Sequence, residues 1–573
     1  MINEDIENFE TMFPSLSHND HKLVELIIKL EGYEDRRSLI LLGRAHECLI
    51  KMRNGLNSTI KCNCGTLIKV PQNTHPKQWG CPDCSTQFFF PASIFGALTP
   101  KFIAAVLPLP DSDAILCLDF GTSSLKAAIK KHHNSLAESL NLGMHAATDG
   151  LYNEDQSSIP SAIFISKSDN SIYFGQEALL RGQRGETSEL FEISPKKWLT
   201  ELTPDDINQP IIGGVSRKNF LSGLISVALE SSMAQGAFDI QELLAMELRL
   251  SHPVWPTGLS SAKLNAILKE IADEAVNLAY LKSVSSLDPI KNIGEFKQRI
   301  VTSLIDHRSS RVDVEEPIAA AIELFENANN SREVCVIIDV GAGTTDIGLF
   351  ESVTPDIERN LRFYQEPLRR KIIPLKPPVS IYQAGDFIDQ ELINSIKEAS
   401  PVALNAAQLG EINSRRRQIK ETLFNSGQVV EFGINVRLDD LVNRDGIKLF
   451  CESIKQNFIN QIIASQKTIH DLFNATIDPI KKIDVIFAGG GANIGFLNTV
   501  IKNTELEIMG YKVPIALRKP TARKYSNLKA PIERLAVSLG GTLDAEQWPK
   551  TKMGDTPMAD PLGYITPTYI HYP

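Results

Sequence analysis

The chain has 573 residues, 43% hydrophobic and 22% charged, an ordinary globular balance with enough length for more than one core. Its formal net charge of −10 argues against a surface that holds nucleic acid through phosphates. No apolar run approaches the roughly 18 residues that cross a bilayer, and the acidic start MINEDIENFETMF lacks the basic character of a secretory signal, so a cytoplasmic protein is expected.

Residues 1–57 read as a helical N-terminal segment: Leu23, Leu26, Ile27 and Leu30 share one helical face, and Leu42, Ala45, Leu49 and Met52 another. The segment is either a packing appendage or a docking surface for a partner. Residues 58–92 carry Cys62 and Cys64 (KCNCGT), then Cys81 and Cys84 (GCPDCS), each pair beside a glycine or proline suited to a tight turn. Two turns offering two thiolates each predict a closed four-sulfur Zn²⁺ site, a small zinc ribbon, with His75 as a loop residue. The one-residue spacing of the first pair is less usual, and unliganded thiols or a disulfide are the alternatives. Cys117, Cys335 and Cys451 lie in or beside apolar runs and read as small buried hydrophobes. Residues 93–113 read as a linker ending in LPLPDSD, which suits neither helix nor strand. From 114 to 545, short apolar strands (AILCLDF, VCVIIDV, KIDVIFAGG) alternate with helical segments (PIAAAIELFENA, RRQIKETLF), the pattern of an α/β fold. Residues 546–573 show no period and read as an extended or disordered tail.

Three segments carry a phosphate-binding character. ILCLDFGTSSLKAAI reads as strand, polar turn, strand: Asp119 at the strand end can hold magnesium through its waters, Gly121 admits a phosphate close to backbone N–H groups, and Thr122, Ser123 and Ser124 offer hydroxyls. The same design returns in VIIDVGAGTTDIGLF, with Asp339, Gly341, Gly343, Thr344, Thr345 and Asp346. Two such hairpins predict two related lobes gripping one polyphosphate from opposite sides. In VIFAGGGANIGFL, Gly489, Gly490 and Gly491 follow a buried strand, where bare backbone suits a flat purine and its ribose.

In this order the motifs resemble the nucleotide-binding domain of the 70-kDa heat-shock (DnaK-type) chaperones, within the actin-like ATPases. DFGTSS looks like the first phosphate loop, DVGAGTTD like the second and AGGGANI like the adenosine motif. VEEPIAAAI resembles the connecting helix with its acid before a proline, and AGDFID resembles the glycine-acid turn of the second lobe. SSIPSAIF, YFGQEAL, SPKKWL and AVSLGG fall in the same order, so the likeness spans residues 114–545. It implies a two-lobed actin-like ATPase fold of duplicated ribonuclease-H-like lobes, with ATP or ADP and Mg²⁺ as ligands. It further implies that Asp119 and Asp339 organise magnesium with Asp346 nearby and that Glu316 holds the metal's hydration shell. Thr122, Ser123, Gly343 and Thr344 would contact phosphates, with Gly385 and Lys420 at the nucleotide. Lys196 would reach the γ-phosphate and the attacking water, although Lys197 adjoins it and either lysine could serve.

The chain departs from that family at Glu421, where a base-covering cation is expected, and at Arg417, which stands in place of an acid. Residues 546–573 are also too few for a peptide-binding domain, which needs about 100 residues or more. The reading is therefore a slow Mg²⁺-dependent ATPase acting as a chaperone-like switch on a protein partner, reached through the ribbon, the N-terminal helices or the tail. Its alternatives are a nucleotide-binding scaffold without turnover and a filament-forming actin-like protein. A small-molecule kinase lacks a motif for its general base.

Overall fold

The computed structural model describes residues 112–132, 135–143, 157–255, 261–284, 292–302, 310–325, 332–353, 371–476, 479–520 and 530–543, residues 525 and 528, and four short strands between 58 and 89. Those four strands form two antiparallel hairpins, Ser58–Lys61 with Leu67–Val70 and Gln78–Gly80 with Gln87–Phe89. The connecting segment of each hairpin bears one cysteine pair in sequence, and Cys62, Cys64, Cys81 and Cys84 themselves lie outside the described residues, as do the helical segment expected over 1–57 and the tail expected over 546–573.

Two sheets organise the remainder. In the first, β1 (Ile115–Phe120) and β2 (Ser124–Lys130) form an antiparallel hairpin, flanked on the β2 side by β3 (Glu138–Ser139) and β4 (Ser158–Pro160) and on the β1 side by β5 (Glu247–His252) and then β6 (Arg311–Glu315). The β1–β5 and β5–β6 pairs are parallel. In the second, β7 (Arg332–Val340) and β8 (Thr345–Val353) form the hairpin, with β9 (Lys371–Pro374) and β10 (Val379–Ile381) beside β8, parallel β11 (Ile483–Ala488) beside β7 and then parallel β12 (Ile515–Leu517) beside β11. Each sheet is thus a hairpin followed by two parallel strands, the repeated layout expected of two related lobes. Parallel strands covered on both faces read as continuous apolar runs, and β1, β7 and β11 are buried almost throughout.

The first lobe packs helices α1 (Lys197–Glu201), α2 (Arg217–Ala234) and α3 (Ser261–Val284) around its sheet, with a core including Leu116, Leu118, Leu224 and Ile271. α2 opens with a reciprocal cap in which Ser216 and Asn219 satisfy each other's backbone N–H groups. Helix α4 (Glu316–Phe325) leaves β6 directly, with Pro317 in its first turn, where a missing N–H costs nothing. The second lobe adds α5 (Gly385–Ala399), α6 (Ala406–Ser426), α7 (Asp445–Ala464) and α8 (Gly495–Lys502). The final helix α9 (Ile532–Gly540) packs on α4, and this pair shares one core with residues from both sheets, among them Cys117, Ala128, Cys335, Ile337 and Ile486. The helices cross so closely that a Cβ on Gly540 would lie 1.9 Å from the Ala319 carbonyl oxygen. Arg249, fully buried on β5, fastens the end of α9 by donating to the Gly541 carbonyl at 2.9 Å while pairing with Glu247 at 2.7 Å.

Cys117 and Cys335 are buried and Cys451 half-buried, as expected of small apolar residues, and burial pushes the Cys117 thiol up to about 12. Among the described residues no helix is long and apolar enough to cross a membrane.

Candidate functional site

The two hairpin turns face each other. In the first, a Cβ on Gly121 would meet the Ser124 carbonyl oxygen at 2.5 Å, so the turn can close only around glycine. Ser161 secures it, its hydroxyl donating to the Gly121 carbonyl at 2.7 Å and its N–H to that of Ser123 at 2.9 Å. In the second, Gly341 N–H donates to the Thr344 carbonyl at 2.9 Å, and the Thr344 hydroxyl donates to Asp346 Oδ2 at 3.1 Å. The turns touch across the cleft: a Cβ on Gly343 would stand 2.8 Å from Thr122 Oγ1. The Thr345 hydroxyl donates to the Gln383 carbonyl at 2.8 Å, which ties the loop to the segment entering α5.

Four acids surround this junction. Asp339 and Asp346 are directly opposed in the β7–β8 register, a like-charged cross-strand pair that a sheet tolerates poorly. Burial, with the charges of Glu316, Asp346 and Asp119, pushes the Asp339 carboxyl well above its usual range. Asp346 is pushed up to about 7, chiefly by burial and then by Glu316. Burial likewise raises Glu316, against the pull of Lys196. Three buried carboxyls raised together, by burial and by one another, leave the cluster short of positive charge.

Two lysines enter the cluster. Lys196 is buried at the start of α1 and donates to Glu316 Oε1, which also receives the Ser251 hydroxyl at 3.4 Å. Its neighbour Lys197 is one-third exposed and turns to Asp386 instead, so the structure separates the two candidates and places Lys196 with the acids. Lys126, which sequence reasoning did not single out, lies opposite Asp119 in the β1–β2 register, with Nζ 2.8 Å from Asp119 Oδ2. The available signal was a lysine near the start of a largely apolar strand, seven positions after the acid.

The glycines after β11 form one wall. Gly489 has φ +78°, and a Cβ there would lie 2.2 Å from Asp339 Oδ1; Gly491 N–H donates to the Val340 carbonyl at 2.9 Å, while Gly490 faces open space. From α5, Gly385 and Asp386 donate backbone N–H bonds to the Gly341 and Ala342 carbonyls at 3.1 and 2.7 Å. Lys420 on α6 reaches the Gly385 carbonyl at 3.1 Å and Asp389 at 2.7 Å, placing Gly385 and Lys420 beside the second loop. Arg417 and Glu421 pair with each other at 2.9 Å on the exposed face of α6. Among the described residues no three acids, histidines or cysteines converge tightly enough to grip a bare metal ion, and the acids of the cleft suit a cation held through its waters.

Comparison with known proteins finds actin-like relatives. The chain is 24% identical over 216 residues to the actin-like protein MamK of Magnetospirillum gryphiswaldense, covering 36% of this chain and 50% of the relative. It is 25% identical over 169 residues to the actin-like protein MamK of Paramagnetospirillum magneticum, covering 29% and 42%. The chain has the two-lobed actin-like fold. It spans about half the length of the curated relatives it matches. No protein-family profile matches it. Both relatives carry an actin-like name, where the motif reading had pointed to heat-shock chaperones.

Proposed function

We propose that the cleft binds ATP with magnesium and hydrolyses it slowly to ADP and phosphate. The observation that supports this reading is the meeting of Asp119, Glu316, Asp339, Asp346, Lys126 and Lys196 where the two glycine turns touch. Phosphoryl transfer to water asks a protein mainly for positioned charge, and these residues provide it. Asp119 and Asp339 would hold magnesium through its waters, with Glu316 and Asp346 facing the same shell; when bound, the ion neutralises the polyphosphate. Backbone N–H groups of the two turns, with the hydroxyls of Thr122, Ser123 and Thr344, cradle phosphate oxygens. Lys126 exchanges Asp119 for a phosphate, and Lys196 exchanges Glu316 for the terminal phosphate and the attacking water. Gly489, Gly490 and Gly491 leave bare backbone for ribose and base, with Gly385 and Lys420 beside the second loop. The surface pair Arg417–Glu421 supplies no free cation over the base, so adenine selectivity is expected to be weak.

Single-turnover hydrolysis with enzyme in excess tests this directly. The parent protein should convert ATP to ADP, whereas Lys196→Ala and Asp339→Asn should bind ATP and stall. A parent that binds ATP without turnover supports the scaffold reading; one that binds none removes the nucleotide assignment.

For the use made of turnover, the actin-like names of the relatives favour nucleotide-dependent self-assembly over chaperone-like control of a client. ATP-dependent growth in light scattering supports assembly, and an unchanging monomer supports a switch acting on a protein partner through the N-terminal segment, the ribbon or the tail. The paired cysteine spacing further supports one Zn²⁺ shared by Cys62, Cys64, Cys81 and Cys84, for which elemental analysis of the native protein should find about one equivalent per chain.

A further inference from the structure

One residue along the chain from Lys196, a second set of polar groups crosses the cleft. Ser194 to Lys197 form the turn that opens α1, closed by Lys197 N–H to the Ser194 carbonyl at 3.0 Å. Lys196 points back into its own lobe at Glu316, whereas Lys197 points to the other lobe, with Nζ 2.8 Å from Asp386 Oδ2. The Ser194 hydroxyl donates to the same oxygen at 2.9 Å. The second oxygen, Asp386 Oδ1, accepts from Arg416 of α6 at 3.3 Å, and Arg416 also reaches Ser194 Oγ at 3.4 Å and Asp389 at 3.7 Å. Although burial pushes the Asp386 carboxyl up, Arg416 and Lys197 hold it below the usual range.

Asp386 is also fixed from behind. Its N–H donates to Ala342 of the second phosphate loop, and Gly385 N–H to Gly341. One residue therefore joins that loop, through its backbone, to the turn bearing Lys196, through its side chain. A second bond crosses nearby, from the Tyr382 hydroxyl to the Val254 carbonyl at 3.2 Å.

We infer that Asp386 is a positioning residue whose side chain clasps the Lys196 turn across the cleft, so that lobe closure and the placement of Lys196 occur together and reopening releases bound nucleotide. The inference rests on the ATPase reading for its consequence and on the contacts alone for the clasp. Its strength suits reversible use. Lys197 is one-third exposed, and ion pairs open to solvent are weak and screened by salt. The Ser194 hydroxyl and the buried face of Asp386 supply direction.

The test compares the parent chain with Asp386→Asn, Lys197→Ala and the double variant. Asp386→Asn keeps an oxygen acceptor for Ser194 and removes the charge; Lys197→Ala alters a part-exposed side chain that no core requires. In nucleotide-free protein, each single variant should speed hydrogen exchange in both residues 194–201 and residues 385–390, and the double variant should add little to either. Release of a fluorescent ADP analogue should quicken by about two- to fivefold, with the single-turnover rate at saturating ATP falling by a similar factor and Asp386→Glu restoring part of it. Exchange that rises only in residues 385–390, with unchanged protection of 194–201, would overturn the clasp; so would strictly additive effects of the two substitutions. Exchange requires no ligand, so failure of the parent to bind ATP would sink the proposed activity while the clasp is still decided.

Discussion

Replacing Asp346 by asparagine should flatten the pH dependence of stability of the protein free of nucleotide and divalent metal. The Asp346 carboxyl moves from 3.8 in an open chain to about 7 in the fold, chiefly through burial and then the charge of Glu316. A raised acid binds its proton more tightly when folded, so its contribution to stability is largest at low pH and is lost as pH rises through the folded value. For one such group, the loss between pH 6 and pH 8 is about 1.4 kcal/mol. Asparagine carries no ionisable proton and still offers an oxygen to the Thr344 hydroxyl, which donates to Asp346 at 3.1 Å. Urea denaturation in chelator at the two pH values, with fitted slopes compared, measures the difference. The parent should lose more stability than the variant by an amount of that order. Equal losses in the two proteins would refute the electrostatic account of the cluster.

Other perturbations test other parts of the molecule. Gly489→Ala forces a side chain into a left-handed conformation and against Asp339, so it should destabilise by at least about 2 kcal/mol and abolish nucleotide binding in equilibrium dialysis; retained binding would remove Gly489 from the cleft wall. Gly540→Ala places a methyl on the Ala319 carbonyl and should cost about 2 kcal/mol in urea denaturation, whereas an unchanged midpoint would mean that the α4–α9 crossing relaxes freely. Arg249→Met leaves the Glu247 carboxylate and the Gly541 carbonyl without their buried cation and should cost about 3 kcal/mol, with faster hydrogen exchange across α9; exchange confined to β5 would argue against its role as a fastener.

The two turns could be read directly from the chain because each combines a buried strand, an acid at its end and a glycine where backbone must come close. The paired layout of the sheets was also legible, since VIIDVGAGTTDIGLF repeats the design of ILCLDFGTSSLKAAI. Partner choice was not. Sequence could not say whether Lys196 or Lys197 joins the acids at the two turns, because a short helix start can direct either side chain inward, and the decision rests on Glu316 and Asp386, far away in the chain. Lys126 escaped notice because its meaning comes from register, which sets it opposite Asp119. Arg416 sits among three consecutive arginines, and only the fold distinguishes the one that meets Asp386 from Arg417, which pairs with Glu421 on the helix surface.

The contact between α4 and α9 bears on how the lobes can tilt. Helices that meet through interlocked side chains settle into a few notched angles, and turning one past another means lifting ridges out of grooves. Here the nearest approach is bare backbone, glycine on carbonyl, with alanines along α4 and a shared apolar filling drawn from both sheets. The crossing therefore works as a shared keel: any tilt of one lobe against the other has to be absorbed where these two backbones lie closest and where both sheets draw on one apolar filling.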